Sequence, residues 1–181
     1  MRSLLLGLAL TVSLPAAAEL NSAALGNQLA EHSPACSRFE QTRWLADLEA
    51  ELASSGYFQR SEQGLVWHTL TPVDSRLVLN ADNPDMPLAY QVILPVLTGL
   101  LGGDWAALQQ HFTLQLQGEL SDWRAELTPT DAAVAERLQH LQVSGAEQVE
   151  QLQIDFVSGD RMTLQLSAAD CATLPGDSSA P

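Results

Sequence analysis

The feature that most constrains this chain is a regular alternation of apolar and polar residues over many short segments. In the C-terminal half the alternating segments are "TLQLQGEL" (113–120), "DWRAELTP" (122–129), "EQLQIDF" (150–156) and "DRMTLQLSA" (160–168). A period of two predicts strands with one apolar face and one solvated face, which is typical of a single antiparallel sheet. About eight to ten such strands do not stay flat, so we expect a mainly β, α+β fold whose sheet curls toward a barrel.

The N-terminal half predicts the remaining strands, after an amphipathic helix over residues 20–32 capped by Asn21 or Ser22. Alternation resumes at Arg38 and continues through "ELASSGYFQR" (51–60), "GLVWHTL" (64–70) and "SRLVLN" (75–80). Turn signals separate the last three segments, so they read as an antiparallel meander. A short helix with Thr130 as its cap is expected within "PTDAAVAERLQH" (129–140).

One insertion is apolar on every side. Residues 87–101 carry almost no polar side chain, and Pro95 lies inside the segment, where it predicts a kink or an early end. A helix of this composition must be buried, yet it is too short to span a bilayer. We therefore expect it to cover the apolar face of the curled sheet. Asp104 should cap a second helix that begins at Trp105.

The first eighteen residues predict a secretory signal peptide. Arg2 precedes an apolar run from Leu4 to Leu14, and Ala16 and Ala18 form an A-x-A cleavage pattern. We expect a signal peptide over 1–18, one domain over 19–170, a tail over 171–181 and export from the cytoplasm. In an exported protein Cys36 and Cys171 favour a disulfide, with two buried thiols as the alternative.

Charge and composition exclude several functions. The formal net charge is −14 and lysine is absent, so the surface repels nucleic acid and anionic lipid head groups. The four histidines form no metal-binding pair, and no nucleophile elbow or phosphate loop occurs. "ADNPD" (81–85) reads as a solvated turn rather than a calcium loop. We expect no enzyme, no metal and no cofactor, and a monomer that is not an integral membrane protein.

The combination of a one-sided sheet, an apolar insertion and export favours a pocket for acyl chains. We predict that the pocket is lined by apolar side chains of the strands, which are Phe58, Leu65, Trp67, Leu77, Leu79, Leu114, Leu116, Leu164 and Leu166. The predicted lid consists of Ile93, Leu94, Leu97, Leu100, Leu101 and Trp105.

The order of several short motifs resembles the LolA-like family of periplasmic outer-membrane lipoprotein carriers, in a divergent branch of small proteins. The motifs are Phe39-x-Gln41, Gly56-x-Phe58, Leu65-x-Trp67 with Pro72, and Leu127-Thr128-Pro129 with Asp131. They span roughly residues 20–168. The resemblance implies an unclosed, strongly curved antiparallel half-barrel of the LolA/LolB type under a helical lid. In the best-known carriers an arginine before the x-x-W strand pins the lid; the corresponding position is near Ser61, next to Arg60.

The resemblance also implies a function, namely the transfer of acylated cargo from an inner-membrane exporter to an outer-membrane acceptor. The first alternative is a carrier of another lipid, such as a glycolipid or a lipid-linked pigment. The second is an enzyme that acts on lipid or acyl groups. The third is an interaction module with a solid core, for instance a stress sensor or an inhibitor.

Overall fold

The computed structural model describes residues 20–80, 88–102 and 104–175, and only the backbone of residues 88–92 and 102. The predicted signal peptide, the turn at 81–85 and the tail beyond residue 175 lie outside the described residues. Within them the predicted α+β class is confirmed: nine antiparallel strands form one sheet, with short helices on its concave side.

The chain begins with helix α1 (Ser22–His32), whose first turn is capped by Asn21 as predicted, since its side-chain oxygen accepts from the Ala24 amide at 2.8 Å. Four strands follow as the predicted meander, and their bounds are β1 (Cys36–Leu45), β2 (Ala50–Ser61), β3 (Gly64–Thr71) and β4 (Ser75–Leu79). Helices α2 (Leu88–Gly102) and α3 (Trp105–Gln109) complete the first half.

The second half consists of five strands and one helical turn, α4 (Ala132–Ala135). The strands are β5 (Phe112–Glu119), β6 (Asp122–Pro129), β7 (Leu138–Gly145), β8 (Val149–Phe156) and β9 (Arg161–Ala169). The sheet order is β4-β3-β2-β1-β9-β8-β7-β6-β5, so β1 pairs with β9 and the two edges are β4 and β5. These edges are not paired with each other, so the curved sheet is an unclosed half-barrel.

Two local predictions in the α4 region were wrong. The helix expected over 129–140 is a single turn, and its cap is Asp131, whose carboxylate accepts from the Ala133 amide at 2.8 Å, rather than Thr130. The residues assigned to the end of that helix instead begin strand β7 at Leu138. There the strand's buried positions, Leu141 and Val143, pack into the sheet interior, and this pairing overrides local helix propensity.

Helix α2 continues through Pro95, so of the two predicted effects the early end does not occur. The ring lies on the exposed side of the helix, and the hydroxyl of Thr98 donates to the carbonyl of Leu94 at 2.7 Å. The opposite side of α2 is buried, as its composition predicts. Asp104 caps α3 as expected, accepting from the Ala107 amide at 3.0 Å.

The convex side of the sheet carries a small cluster of its own. The Cys36–Cys171 disulfide forms, and it brings Leu174 onto Cys36 and Tyr57. The Tyr57 hydroxyl donates to the carbonyl of Pro175 at 3.0 Å. The described part of the tail, residues 171–175, is therefore fastened against the back of the sheet.

Candidate functional site

The concave side of the sheet and the helices enclose one continuous apolar interior, which can be divided by the helix that covers it. The lid half is the part under α2, and it contains the concave side chains of β1 to β4. The packed half is the part under α1 and α3, next to β5, β6 and β7. Side chains of both halves belong to a single buried cluster.

None of the three cavities that border α2 is lined by a described residue of α1, α3, β5 or β6. Trp105 of α3 meets Trp123 of β6 edge to face, with ring centroids 5.9 Å apart. The Trp123 indole donates to the carbonyl of Ala146 at 2.7 Å. Gln28 of α1 donates to the same carbonyl at 2.7 Å and to that of Leu120 at 2.9 Å. Rings and hydrogen bonds therefore fasten α1 and α3 to the strand ends.

The lid half is different, because three cavities border α2. The mouth cavity, of about 220 Å³, is lined by Gln41, Arg43, Trp67, Thr69, Ser75, Leu77, Ile93, Phe156 and Met162. The side cavity, of about 330 Å³, is lined by Arg43, Ile93, Glu136, Arg137, Leu138, Phe156, Val157, Ser158 and Asp160. The end cavity, of about 210 Å³, is lined by Arg60, Ser61, Gly64, Leu65, Thr98 and Leu101.

The three cavities contact α2 at two places. Ile93 borders the mouth and side cavities, whereas Thr98 and Leu101 border the end cavity. At about 1.5 Å per residue, Ile93 and Leu101 are about 12 Å apart along the helix. On the sheet, Trp67 lies at the mouth and Leu65, one step along the same face of β3, at the end cavity. Movement of α2 away from the sheet would therefore join the mouth to the end cavity as one trench.

Arg43, Ile93 and Phe156 separate the mouth cavity from the side cavity, since all three line both. The Arg43 guanidinium lies 5.9 Å from the centre of the Phe156 ring and forms an ion pair with Asp160 at 3.2 Å. Asp160 also accepts from the Ala46 amide at 3.0 Å. The arginine is thus held toward the β8–β9 turn.

The structure places the predicted lining residues in three groups. Phe58, Leu65, Trp67, Leu77 and Leu79 lie on β2 to β4, within the lid half. Phe58 and Trp67 are in ring contact, at 5.1 Å between centroids. Leu164 and Leu166 lie on β9 at the centre of the sheet, and both are buried. Leu114 and Leu116 lie on β5, at the opposite edge from β4, and are only half-buried.

Most predicted lid residues lie on the buried side of α2, namely Ile93, Leu94, Leu97, Leu100 and Leu101. Trp105 belongs to the packed half instead, because its ring packs on Trp123. Arg60, next to the position that the family pattern gives to the lid-pinning arginine, donates to the carbonyl of Ser33 at 2.7 Å. That carbonyl belongs to the end of α1 and not to α2.

Sequence reasoning missed the polar side of the mouth cavity, formed by Gln41, Arg43, Thr69 and Ser75. A signal for two of them was present: Gln41 and Arg43 follow Phe39 at steps of two, so they share its concave face. Phe156 and Met162 were assigned to apolar strand faces but not to the pocket. Their role depends on the position of Ile93, which local patterns do not contain.

One chain of polar side chains lies on the convex side of the sheet, away from the cavities. Tyr57, His68 and Asp74 form a chain on the convex side, with 2.7 Å from the Tyr57 hydroxyl to His68 Nδ1 and 3.1 Å from His68 Nε2 to Asp74. The tyrosine is only 3 % exposed and lies under Pro175, so no substrate reaches its hydroxyl. Over residues 20–80, 88–102 and 104–175, no three His, Cys, Asp or Glu side chains group closely enough for a metal ion.

One carboxylate of the convex side has a perturbed pKa. Partial burial of Asp155 raises its pKa. This effect is outweighed by hydrogen bonds from Arg161 and Gln153, by the positive charge of Arg161 and by a contact to His140. The net result is a pKa below the usual 3.8. The Arg161–Asp155 distance is 2.6 Å and that from His140 to Asp155 is 3.5 Å. This group ties β7, β8 and β9 together on the face opposite the cavities.

Comparison with known proteins agrees with this architecture. Residues 93–178 match the family model described as "Outer membrane lipoprotein carrier protein LolA-like". The predicted resemblance is confirmed, since the C-terminal part of the chain is similar to LolA-like proteins. The family is, in general, one of lipid and lipoprotein carriers. No curated protein matches the sequence.

Two solved structures show distant similarity. The LolA superfamily protein NE2245 from Nitrosomonas europaea is 9 % identical, with a TM-score of 0.35, over 83 % of this chain and 94 % of that one. A DUF1329 family protein from Desulfovibrio piger is 10 % identical, with a TM-score of 0.35, over 83 % of this chain and 92 % of that one. Separately, none of the described helices is both long and apolar enough to cross a bilayer.

Proposed function

We propose that this protein is a periplasmic carrier that shelters the acyl chains of a lipidated cargo, a lipoprotein, between α2 and the concave sheet. It would receive the cargo from an inner-membrane exporter and deliver it to an outer-membrane acceptor. The observation that carries the proposal is the presence of three cavities against α2, two at Ile93 and one at Thr98 and Leu101. The disulfide is compatible with export to an oxidising compartment.

The size of the cavities defines what binding requires. Pockets for small ligands usually measure about 300–1,000 Å³, and the mouth and end cavities are smaller than this. A long acyl chain therefore enters only if α2 moves away from the sheet. Helix α2 is not a member of the sheet, so this movement breaks no strand pairing. It exposes apolar side chains that the acyl chain then covers again.

The energetic scale favours a carrier without covalent chemistry. Removing a chain of about C14–C16 from water is worth about 0.8 kcal/mol per CH₂ group, which is on the order of 10 kcal/mol for the chain. Part of this is offset by the cost of displacing α2. Release then needs an acceptor that binds the cargo at least as well. No catalytic residue and no cofactor enters this scheme.

The small cavities also favour a second candidate. In the described state Leu94, Leu97 and Leu100 of α2 pack in the buried cluster with the sheet, and each is at most 5 % exposed. A permanently filled interior would make the protein a non-carrier envelope interaction module of the same fold.

Saturable binding of a fluorescent palmitoyl probe separates the two candidates. Ser75 is exposed at the rim of the mouth cavity, so Ser75→Trp should block entry with little effect on folding. The matched control is Ser167→Trp, which alters an exposed serine on the convex face of β9. We expect saturable binding by the wild type and the control, and at least about 5-fold weaker binding by Ser75→Trp.

Absence of saturable binding by the wild type would contradict the carrier and favour the interaction module. Equal weakening by both tryptophans would show that the probe does not use the mouth. Native mass spectrometry of protein purified from the periplasm in mild conditions then identifies the cargo. A bound mass that matches a triacylated peptide would support lipoprotein transport. A bound mass that matches a glycolipid would indicate that the protein carries that lipid instead.

A further inference from the structure

The mouth cavity has two chemically different sides. One side is apolar and consists of Trp67, Leu77, Ile93, Phe156 and Met162. The other side carries the amide of Gln41, the guanidinium of Arg43 and the hydroxyls of Thr69 and Ser75. An acyl chain alone needs no polar contacts, so a cavity of this kind suits the junction between an acyl chain and a polar head group.

The Gln41 amide is the most informative of these groups. Its Oε1 atom is fully buried and has no hydrogen-bond partner in the described structure. A buried acceptor without a partner is unfavourable, and a ligand that donates to it removes the penalty. The side-chain amide of Gln41 has one acceptor oxygen and an NH2 group with two donor hydrogens. Rotation of the amide can present either group to a ligand. It therefore suits a group that both donates and accepts.

The charge at the mouth is already neutralised. Arg43 is the cationic residue of the cavity lining, and its guanidinium is paired with Asp160 at 3.2 Å. Asp160 is itself fixed by the Ala46 amide, and only 19 % of its side chain is exposed. An anionic head group would compete with this carboxylate for Arg43 and would also be repelled by a protein of net charge −14.

We propose that the mouth cavity binds an uncharged head group that carries both a hydrogen-bond donor and an acceptor, and that Gln41 is its recognition residue. This chemistry occurs in the amide of an N-acylated peptide and in the hydroxyls of a glycosyl head group. Asp160 excludes anionic heads by occupying Arg43. The inference rests on the proposed carrier function and specifies the class of cargo that the carrier accepts.

Competition between amphiphiles of equal chain length tests the inference. N-methyldodecanamide, dodecyl maltoside, dodecanoate and dodecyl phosphate, all below their micelle concentrations, compete with the palmitoyl probe for the wild-type protein. We expect the best uncharged competitor to bind at least about 5-fold tighter than either anion. Comparison of the amide with the maltoside identifies the peptide or the sugar as the source of the head group.

Two variants isolate the residues. Gln41→Leu should weaken binding of the preferred uncharged competitor by about 5-fold, the size expected for the loss of one hydrogen bond. Binding of the two anions should not change. Gln165→Leu, on the exposed convex face, is the matched control and should change nothing. Asp160→Asn removes the carboxylate that pairs with Arg43, so binding of dodecanoate and dodecyl phosphate should become several-fold tighter.

The outcomes distinguish the inference from the function. If the probe does not bind and no amphiphile competes, the carrier function itself fails. If all four compete equally and Gln41→Leu changes none of them, the carrier stands and the head-group site is refuted. If the anions bind tighter than the uncharged compounds in the wild type, the proposed class of cargo is wrong.

Discussion

The lid half and the packed half of the interior are made from similar apolar residues but differ in how their helices are held. In the packed half, Trp123 and Gln28 hydrogen-bond to the strand ends, and the Trp105 and Trp123 rings interlock. In the lid half, α2 covers the sheet with aliphatic side chains and has cavities at both ends. The comparison indicates that burial alone does not identify a ligand site. Directional contacts fasten the helices of the packed half, whereas the described side chains of α2, over residues 93–101, cover the sheet by apolar packing.

The largest expected effect compares one leucine from each half. Leu97 of α2 and Leu127 of β6 are 1 % and 0 % exposed. Changing either to alanine should lower the free energy of unfolding by about 2–5 kcal/mol, measured by urea denaturation. Only Leu97→Ala should also tighten palmitoyl-probe binding, because the space it creates joins the cavities beneath α2.

Probe titrations of the two variants under conditions where both remain folded check this difference. An equal change in affinity would show that the two halves respond as one body. In that case the division of the interior by its covering helices would have no functional meaning.

A smaller effect on the free energy of unfolding is expected from the convex face, whose polar contacts should contribute to stability and not to binding. Because Asp155 has a pKa below 3.8, its ionised form stabilises the fold, and this contribution is complete above the unfolded-state value. It is lost as the pH falls through the lower folded-state value. Asp155→Asn should therefore cost up to about 1 kcal/mol at pH 7.

Urea denaturation at pH 7 and at pH 3 tests the sign. The difference in the free energy of unfolding between the wild type and Asp155→Asn should be smaller at pH 3 than at pH 7. The affinity for the probe at pH 7 should be the same for both proteins. If this difference were larger at pH 3 than at pH 7, the ionised carboxylate would not be stabilised in the folded state.

Much of the architecture could be predicted from the sequence, because its rules are local. Alternation in segments such as 160–168 requires only a period of two, and Asn21 and Asp104 cap helices through contacts three residues away. Strand β7 was missed because "ERLQH" favours a helix locally and becomes a strand only by pairing with β6 and β8.

The candidate site was less predictable for the same reason. Trp67 and Ile93 could be assigned to the sheet face and to the lid from periodicity and composition. The mouth depends on Gln41, Ser75 and Phe156, which lie on β1, β4 and β8 and meet only through the curvature of the sheet. Local patterns contain no information about that curvature.

The most direct test of the central claim is tryptophan quenching by the N-methyl amide of a palmitic acid brominated along its chain, because this probe carries an uncharged head group. Trp67 borders the mouth cavity, whereas Trp123 lies in the packed half. If the chain enters beneath α2, quenching is saturable, is largely lost in Trp67→Phe and persists in Trp123→Phe. Quenching that is lost in Trp123→Phe and kept in Trp67→Phe, or that never saturates in the wild type, would contradict the account.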